Sequence, residues 1–310
     1  IRTAVQTVTA RRLGQGLFKE SGTALRNGLV LATLYSIPTS FFVWNYSDSL
    51  VRFFIEDPAA TPLTRDYVSI VFLGLLFSSY SFVFQGFFTG IEKTKIHMKV
   101  TIVSNVLNVY LNAGFIYGSS GIQDFFNEHL SSLSLISYLW GWVNFPALGV
   151  KGAAIATLIS SFWMAAHYTA SLLSKETKIK YSVFIFSFDS EMMKRQVRLA
   201  LPQGVQESVI ALGWGVFYKI VGVIGLIELA TTELLFTIMH ASFMPAMGVG
   251  QACSTLVSKY MGQGRPEKSE TSIKESVRIA EYIMAPMGLS FIFFPEFYLY
   301  IFTNDLKIIN

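Results

Sequence analysis

The sequence predicts an all-α fold, a polytopic bundle of membrane-spanning helices, on three observations. First, hydrophobic residues make up 52% of the chain and charged residues only 14%, where a soluble domain carries about 25% charged residues. The mean hydropathy is positive, so much of the apolar surface has to face something other than water, and lipid meets that need. Second, uncharged stretches close to the roughly 20 residues that cross a bilayer core recur along the chain. Third, basic residues gather in alternate connections between these stretches, the asymmetry that separates cytoplasmic from external loops. The net charge of +4 is small, and the one cysteine, Cys253, excludes an internal disulfide framework and a Cys-rich metal site. Residues 1–12 show no basic leader followed by a cleavage site, and the chain does not begin with Met, so Ile1 is expected to lie inside a longer protein.

Taken in order, residues 1–10 read as the tail of a helix. Uncharged spans follow at 27–47, 67–91, 100–123, 152–174 and 234–258; another, 199–227, is interrupted only by Glu207 and Lys219, and 279–303 carries Glu281 and Glu296 near its ends. The uncharged stretch 129–150 is not counted as a span. Ser131, Ser132, Ser134 and Ser137 make it polar, Pro146 breaks it, and Trp140 and Trp142 suit the membrane interface. With 129–150 left out, the loops near 11–26, 91–99, 174–198 and 259–278 hold most of the 24 basic residues and are expected to be cytoplasmic. Counting it would place the last two clusters outside. Residues 119–148 are therefore expected to form an external excursion with an interfacial helix.

A shift of 248 residues aligns 1–57 with 249–305 without a gap. Identical pairs include Ala4/Ala252, Thr7/Thr255, Gly14/Gly262, Gly16/Gly264, Ser21/Ser269, Thr23/Thr271, Pro38/Pro286 and Asp57/Asp305. The identities are only about twice what chance gives for so biased a composition, so the pattern carries the case. Gly-Gln-Gly falls in the same loop, a proline in the middle of the next helix, and Phe-x-x-Asp at its far end. The repeated helices lie six apart, and an even number preserves orientation. This predicts two parallel six-helix repeats related by an axis along the membrane normal. The chain would hold about eight of the twelve helices, with one expected before Ile1 and three after Asn310. An N-terminal lobe is expected over 1–180 and part of a C-terminal lobe over 181–310.

Local motifs narrow the choice of architecture. They are Gln6 to Gly16, Phe84-Gln85-Gly86 with Gly90 to Lys95, Asn105 to Gly118, Gly149 to Thr157, Leu201-Pro202-Gln203-Gly204, and Phe243 to Gly264. In this order they resemble successive helix ends and loops of the multidrug and toxic compound extrusion (MATE) family. The resemblance covers nearly the whole chain except 119–145. It implies two lobes forming a V, whose cleft opens alternately to either side. It also implies export of lipophilic, often cationic compounds in exchange for Na⁺ or H⁺, with no other cofactor.

An ionisable group deep in lipid is a functional candidate by default. Glu207, about two turns into its helix and five residues after Pro202, is the foremost one. Relatives of this family typically place a carboxylate eight residues after that proline, about one turn deeper on a similar face. The competing reading is a near-interface Glu paired with Lys219. Asn108 and Asn112 share a helix face at i and i+4, and Thr157 on a neighbouring helix could complete a cluster for ion or substrate. Some relatives carry Asp where this chain has Asn112, which argues against a protonatable site in this lobe. Around Thr157 the small residues Gly152, Ala153, Ala154 and Ala156 point to close packing. Trp214, Phe217, Tyr218, Met239, Phe243, Met244 and Met247 could line an adaptable cavity for a lipophilic cation. Pro38, Pro202, Pro245 and Pro286 are candidate helix kinks. His167 and His240 show no metal spacing and read as satisfied polar residues.

Several classes are disfavoured. Gly-Gln-Gly at 14–16 and 262–264 lacks a Walker lysine or a dinucleotide fingerprint, so nothing supports ATP-driven transport within the chain. No catalytic residues are assigned, since His-x-x-x-Asp, Gly-x-Ser-x-Gly and His-Glu-x-x-His are all absent. A lipid-linked oligosaccharide flippase of related fold is the alternative transporter. It would favour a cleft of Arg and Lys, and the spans hold almost none apart from Arg2 and Lys219. The expected partners are the bilayer and a small drug-like or cationic compound, with no nucleic acid and a monomeric state.

Overall fold

The computed structural model describes residues 1–54, 58–129, 134–185 and 188–302. Among these the chain is helical and forms no strand. The helices are α1 (Arg2–Gly14), α2 (Phe18–Phe54), α3 (Ala60–Leu73), α4 (Leu75–Gly90), α5 (Thr94–His129), α6 (Ser134–Ser137), α7 (Val150–Leu172), α8 (Lys175–Tyr181), α9 (Ser190–Ile224), α10 (Leu226–Gly262), α11 (Pro266–Phe293) and α12 (Pro295–Phe302). The repeat residues Asp57 and Asp305, and Ser131 and Ser132 of the excursion, lie outside the described residues.

Among the described residues three helices, α5, α9 and α11, are each long and apolar enough to cross a membrane. The stretch 67–91, expected as one span, is instead two helices, α3 and α4, bent by 48° at Gly74. Gly74 packs so closely on Leu158 of α7 that a Cβ would lie 3.0 Å from its Cδ1. Likewise 279–303 is divided at Phe294 into α11 and α12, where Pro295 has no N–H to continue the ladder. Helix continues through all four candidate kink prolines, Pro38, Pro202, Pro245 and Pro286. The local interruptions fall at glycine more often: Gly74, Gly118 with φ 74° and ψ 163° inside α5, and extended Gly225 between α9 and α10. Without a Cβ, glycine adopts the φ of Gly118 at no steric cost.

Helix ends follow local chemistry. Asp189 caps α9, its Oδ1 accepting from Met192 N at 3.0 Å. Pro266 and Glu267 open α11, a proline where no N–H is needed and an acid at the positive end of the helix dipole. Past the break at Gly118 the expected excursion opens with helix over residues 119–129, the last part of α5, and then holds the short α6 and a 3₁₀ turn at Tyr138–Trp140. It folds back on α5: Trp140 Nε1 donates to Tyr110 O at 2.8 Å, and Phe145 packs edge-on to Phe115 and Tyr110.

The N-terminal core is centred on α4. Val83, Phe84, Phe87 and Phe88 meet Val5 of α1, Leu25 and Ala32 of α2, Val100 of α5 and Tyr168 and Leu172 of α7. The C-terminal helices bury little by comparison: α9 buries only Met192, Gln196 and Val221. Its start is clamped to α2, with Gln196 Nε2 donating to Ala24 O and Asn27 Nδ2 donating to Asp189 O, each at 2.8 Å.

The 248-residue repeat recurs in three dimensions. After α1, Gly16 (φ 76°) donates to Leu13 O and Leu17 to Arg12 O; after α10, Gly264 (φ 69°) donates to Met261 O and Arg265 to Tyr260 O. Both are Schellman caps, which place glycine just past the helix end. Ser21 Oγ donates to Thr9 O and Ser269 Oγ to Val257 O, both at 3.3 Å. The repeated helices α1 and α10 also pack on each other reciprocally. A Cβ on Gly14 would strike the Lys259 carbonyl, and a Cβ on Gly262 would strike the Arg11 carbonyl. Arg11 and Lys259 are themselves a repeat pair. Gln6 Nε2 bridges the same helices, donating to Gln251 O at 2.9 Å and Thr255 Oγ1 at 2.7 Å.

Gly262→Leu is expected to force α10 off α1, an overpacking cost of about 1–3 kcal/mol. Cysteines at Gln6 and Thr255 in a Cys253→Ser background report the change. A short thiol cross-linker should join them in the parent and much less in the Leu variant; equal cross-linking would refute the contact.

Candidate functional site

The polar groups of the N-terminal half line up along α5. Spacings of three and four residues put His97, Thr101, Ser104, Asn108 and Asn112 on one side of the helix. Asn112 Nδ2 donates to Asn108 Oδ1 at 2.9 Å, so these two candidates do come together, half-buried. The bond leaves Asn112 Oδ1 and the Asn108 amide protons for another partner. Thr157 is not joined to them: its hydroxyl donates to Ala153 O one turn back in α7, at 2.9 Å. The surrounding small residues serve packing, for a Cβ on Gly152 would strike the Phe115 carbonyl, and Ala154 and Ala156 are fully buried.

Sequence reasoning missed the other end of this seam. His97 Nδ1 lies 2.6 Å from Tyr168 Oη and 3.2 Å from Thr101 Oγ1, and His97 Nε2 lies 2.8 Å from Gln85 Nε2. The imidazole thus ties α4, α5 and α7. The i, i+4 spacing of His97 and Thr101 was the available signal. Reading His167 as satisfied is corrected: its Nδ1 is buried with no hydrogen-bond partner among the described residues. Ser104 Oγ and Ser160 Oγ share that condition. Such groups cost free energy in an apolar surrounding, and they give the N-terminal half unused hydrogen-bonding capacity. His240 is exposed.

In the C-terminal half, the aromatic candidates converge on a residue that was not anticipated, Phe236 of α10. Ring centroids of Trp214, Phe217 and Tyr218 lie 4.4, 5.7 and 5.8 Å from that of Phe236. Phe236 shares a helix face with Met239, Phe243 and Met244, at i+3, i+7 and i+8. Met239, Phe243, Met244 and Trp214 are exposed, so they present an open apolar face.

Glu207 lies seven and eleven residues before Trp214 and Tyr218, on the same face of α9. Seven residues is a rise of about 10.5 Å. The carboxylate is exposed and makes no ion pair or hydrogen bond among the described residues. Pairing with Lys219 is excluded by distance, since twelve residues of helix separate them by about 18 Å. A second exposed carboxylate, Glu233, precedes Phe236 by three residues. It sits at the edge of a predicted span, which concealed its proximity to the rings. No extensive helix-to-helix packing joins α9 to α5 or α7 among the described residues. The amide seam and the acid–aromatic face therefore belong to separate halves.

Tyr168→Phe is expected to lower the unfolding temperature of the purified protein by the loss of one interhelical hydrogen bond, about 0.6–1.7 kcal/mol. An unchanged melting temperature would show that the His97–Tyr168 bond contributes nothing to stability.

The comparisons with known proteins bear on the family and the fold. The MatE family model matches residues 1–113 and 212–310. Among curated relatives, the "Probable multidrug resistance protein NorM" of Thermotoga maritima is 27% identical over 312 residues, covering 98% of this chain and 61% of its own. The "Multidrug and toxin extrusion protein 1" of Oryctolagus cuniculus is 21% identical over 313 residues, covering 100% of this chain and 50% of its own. The chain thus spans about half to three fifths of the length of such relatives. Among solved structures, "Outward-facing conformation of a multidrug resistance MATE family transporter of the MOP superfamily" matches with a TM-score of 0.80 at 20% identity, over 99% of this chain and 63% of that one. A MOP superfamily transporter from Pyrococcus furiosus, described as having a binding pocket of reverse polarity, matches with a TM-score of 0.82 at 19% identity, over 99% and 63%. At that identity the structures speak for the fold, a helical membrane bundle, while the family model covers well over half of the residues: the chain belongs to the MATE family of membrane transporters.

Proposed function

We propose that the protein carrying this chain is a secondary antiporter that exports lipophilic or cationic compounds in exchange for Na⁺ or H⁺. The observation that carries the reading is the Glu207 carboxylate, unpaired among the described residues, on the α9 face that presents Trp214 and Tyr218. Aromatic faces attract a desolvated cation by about 2 kcal/mol, and methionines adapt to varied shapes. A carboxylate in the membrane is costly to keep charged and alone. Glu207 would therefore hold a proton, a Na⁺ or the substrate cation, and exchange follows if one displaces another. Asn108, Asn112 and Thr157 offer neutral oxygens, hard donors suited to Na⁺. The names of the NorM and multidrug extrusion relatives support the same assignment.

The flippase reading gains nothing from the acid–aromatic face. The acid–aromatic face carries Glu207 and Glu233, where a pyrophosphate would need bases. We place the protein in the bacterial inner membrane as a monomer, with the α1–α2, α4–α5, α8–α9 and α10–α11 connections on the cytoplasmic side. The α1–α10 contact then closes the cytoplasmic end, and transport requires that it part.

In cells stripped of their own drug pumps, the intact wild-type protein is expected to keep accumulation of a fluorescent lipophilic cation low. Glu207→Gln, expressed at the same level, should raise it to that of cells without the protein. Efflux that survives the substitution would remove Glu207 from the mechanism. No efflux by well-expressed wild type, over a panel of cations, would overturn the antiporter reading.

A further inference from the structure

A cavity of about 490 Å³ opens where the last turn of α1 meets the first turns of α9, lined by Arg11, Arg12, Gln15, Arg195 and Arg198, with Val8 and Leu199 as apolar wall. Four arginines line it and no acidic residue does. Arg12 is neutralised, its Nε lying 3.1 Å from Glu20 Oε2. Arg11, Arg195 and Arg198 have no acidic partner among the described residues. The nearby acids are committed elsewhere: Glu191 to Lys194 at 2.9 Å, Glu92 to Lys259 at 2.7 Å, and Asp189 to the α9 cap. Arg195 and Arg198, three apart on α9, share a face, and that face looks across to Arg11 on α1.

We propose that this cavity is an anion site that takes a phosphate group, either the headgroup of an anionic lipid or free phosphate. Planar guanidinium forks match phosphate oxygens in pairs, which an ammonium group does not. Basic pockets between spanning helices at a membrane surface take headgroups of this kind, and each basic residue there contributes about 1 kcal/mol. Val8 and Leu199 give the wall beside the arginines an apolar character that an acyl chain could follow. Because α1 lies in one half and α9 in the other, a bound phosphate bridges the halves. It favours the closed α1–α10 arrangement to the extent that it binds this state better than an opened one.

The test uses the full-length protein, with no drug and no ion gradient, so its failure leaves the antiporter reading untouched. Binding of short-chain phosphatidylglycerol and, separately, of inorganic phosphate is measured by titration calorimetry for wild type, R195Q/R198Q and R195K/R198K. Wild type is expected to bind phosphatidylglycerol saturably, and R195Q/R198Q to bind about 30-fold more weakly, the loss of two charges. R195K/R198K should fall between them, since it keeps the charge and loses the fork. Binding of the lipid without inorganic phosphate identifies a headgroup site; equal binding of both, lost together in R195Q/R198Q, identifies a phosphate site. Binding that is unchanged in R195Q/R198Q overturns the proposal. So does the absence of saturable binding to wild type.

Discussion

The backbone carbonyls of Arg11 and Lys259 occupy the space that side chains on Gly14 and Gly262 would fill. This reciprocal contact holds the two halves together, and its geometry follows from the repeat: the same turn of the same helix, used twice. Close backbone approach between spanning helices depends on small residues, because lipid gives no hydrophobic force to press helices together. The polar Gln6 bridge and the Lys259–Glu92 ion pair lie beside it and close the same end. Glu92 is held at φ 63°, in the position where Gly16 and Gly264 end their helices. An L residue there costs about 1–2 kcal/mol, and in this conformation Glu92 delivers its carboxylate to Lys259.

Away from this contact the halves differ in how they treat polar groups. In the N-terminal half they are internal, strung along α5 and tied to α4 and α7 through His97, Gln85 and Tyr168. In the C-terminal half, Glu207 and Glu233 stand exposed beside a ring group with Phe236 at its centre. The described structure thus sets acids against an open aromatic face, and unpaired bases at the closed end between α1 and α9.

The sequence by itself determined what composition and period can reach. Apolar stretches of spanning length specify helices, because lipid leaves the backbone no other partner for its N–H and C=O groups. The Gly-Gln-Gly loops fall where the two Schellman caps form, and the i, i+4 spacing put Asn108 and Asn112 on the one face where they bond. What only the tertiary structure decided is which faces meet. Period places Trp214 and Tyr218 on one side of α9, but not Phe236 of α10 between them. It places Arg195 with Arg198, but not Arg11 across from both. Gly74 and Gly225 interrupt the helices while four prolines do not, because a break depends on what packs alongside as well as on the missing N–H. Local spacing is a property of one helix, and a site is a property of several, so the pairing of helices had to be seen before the sites could be.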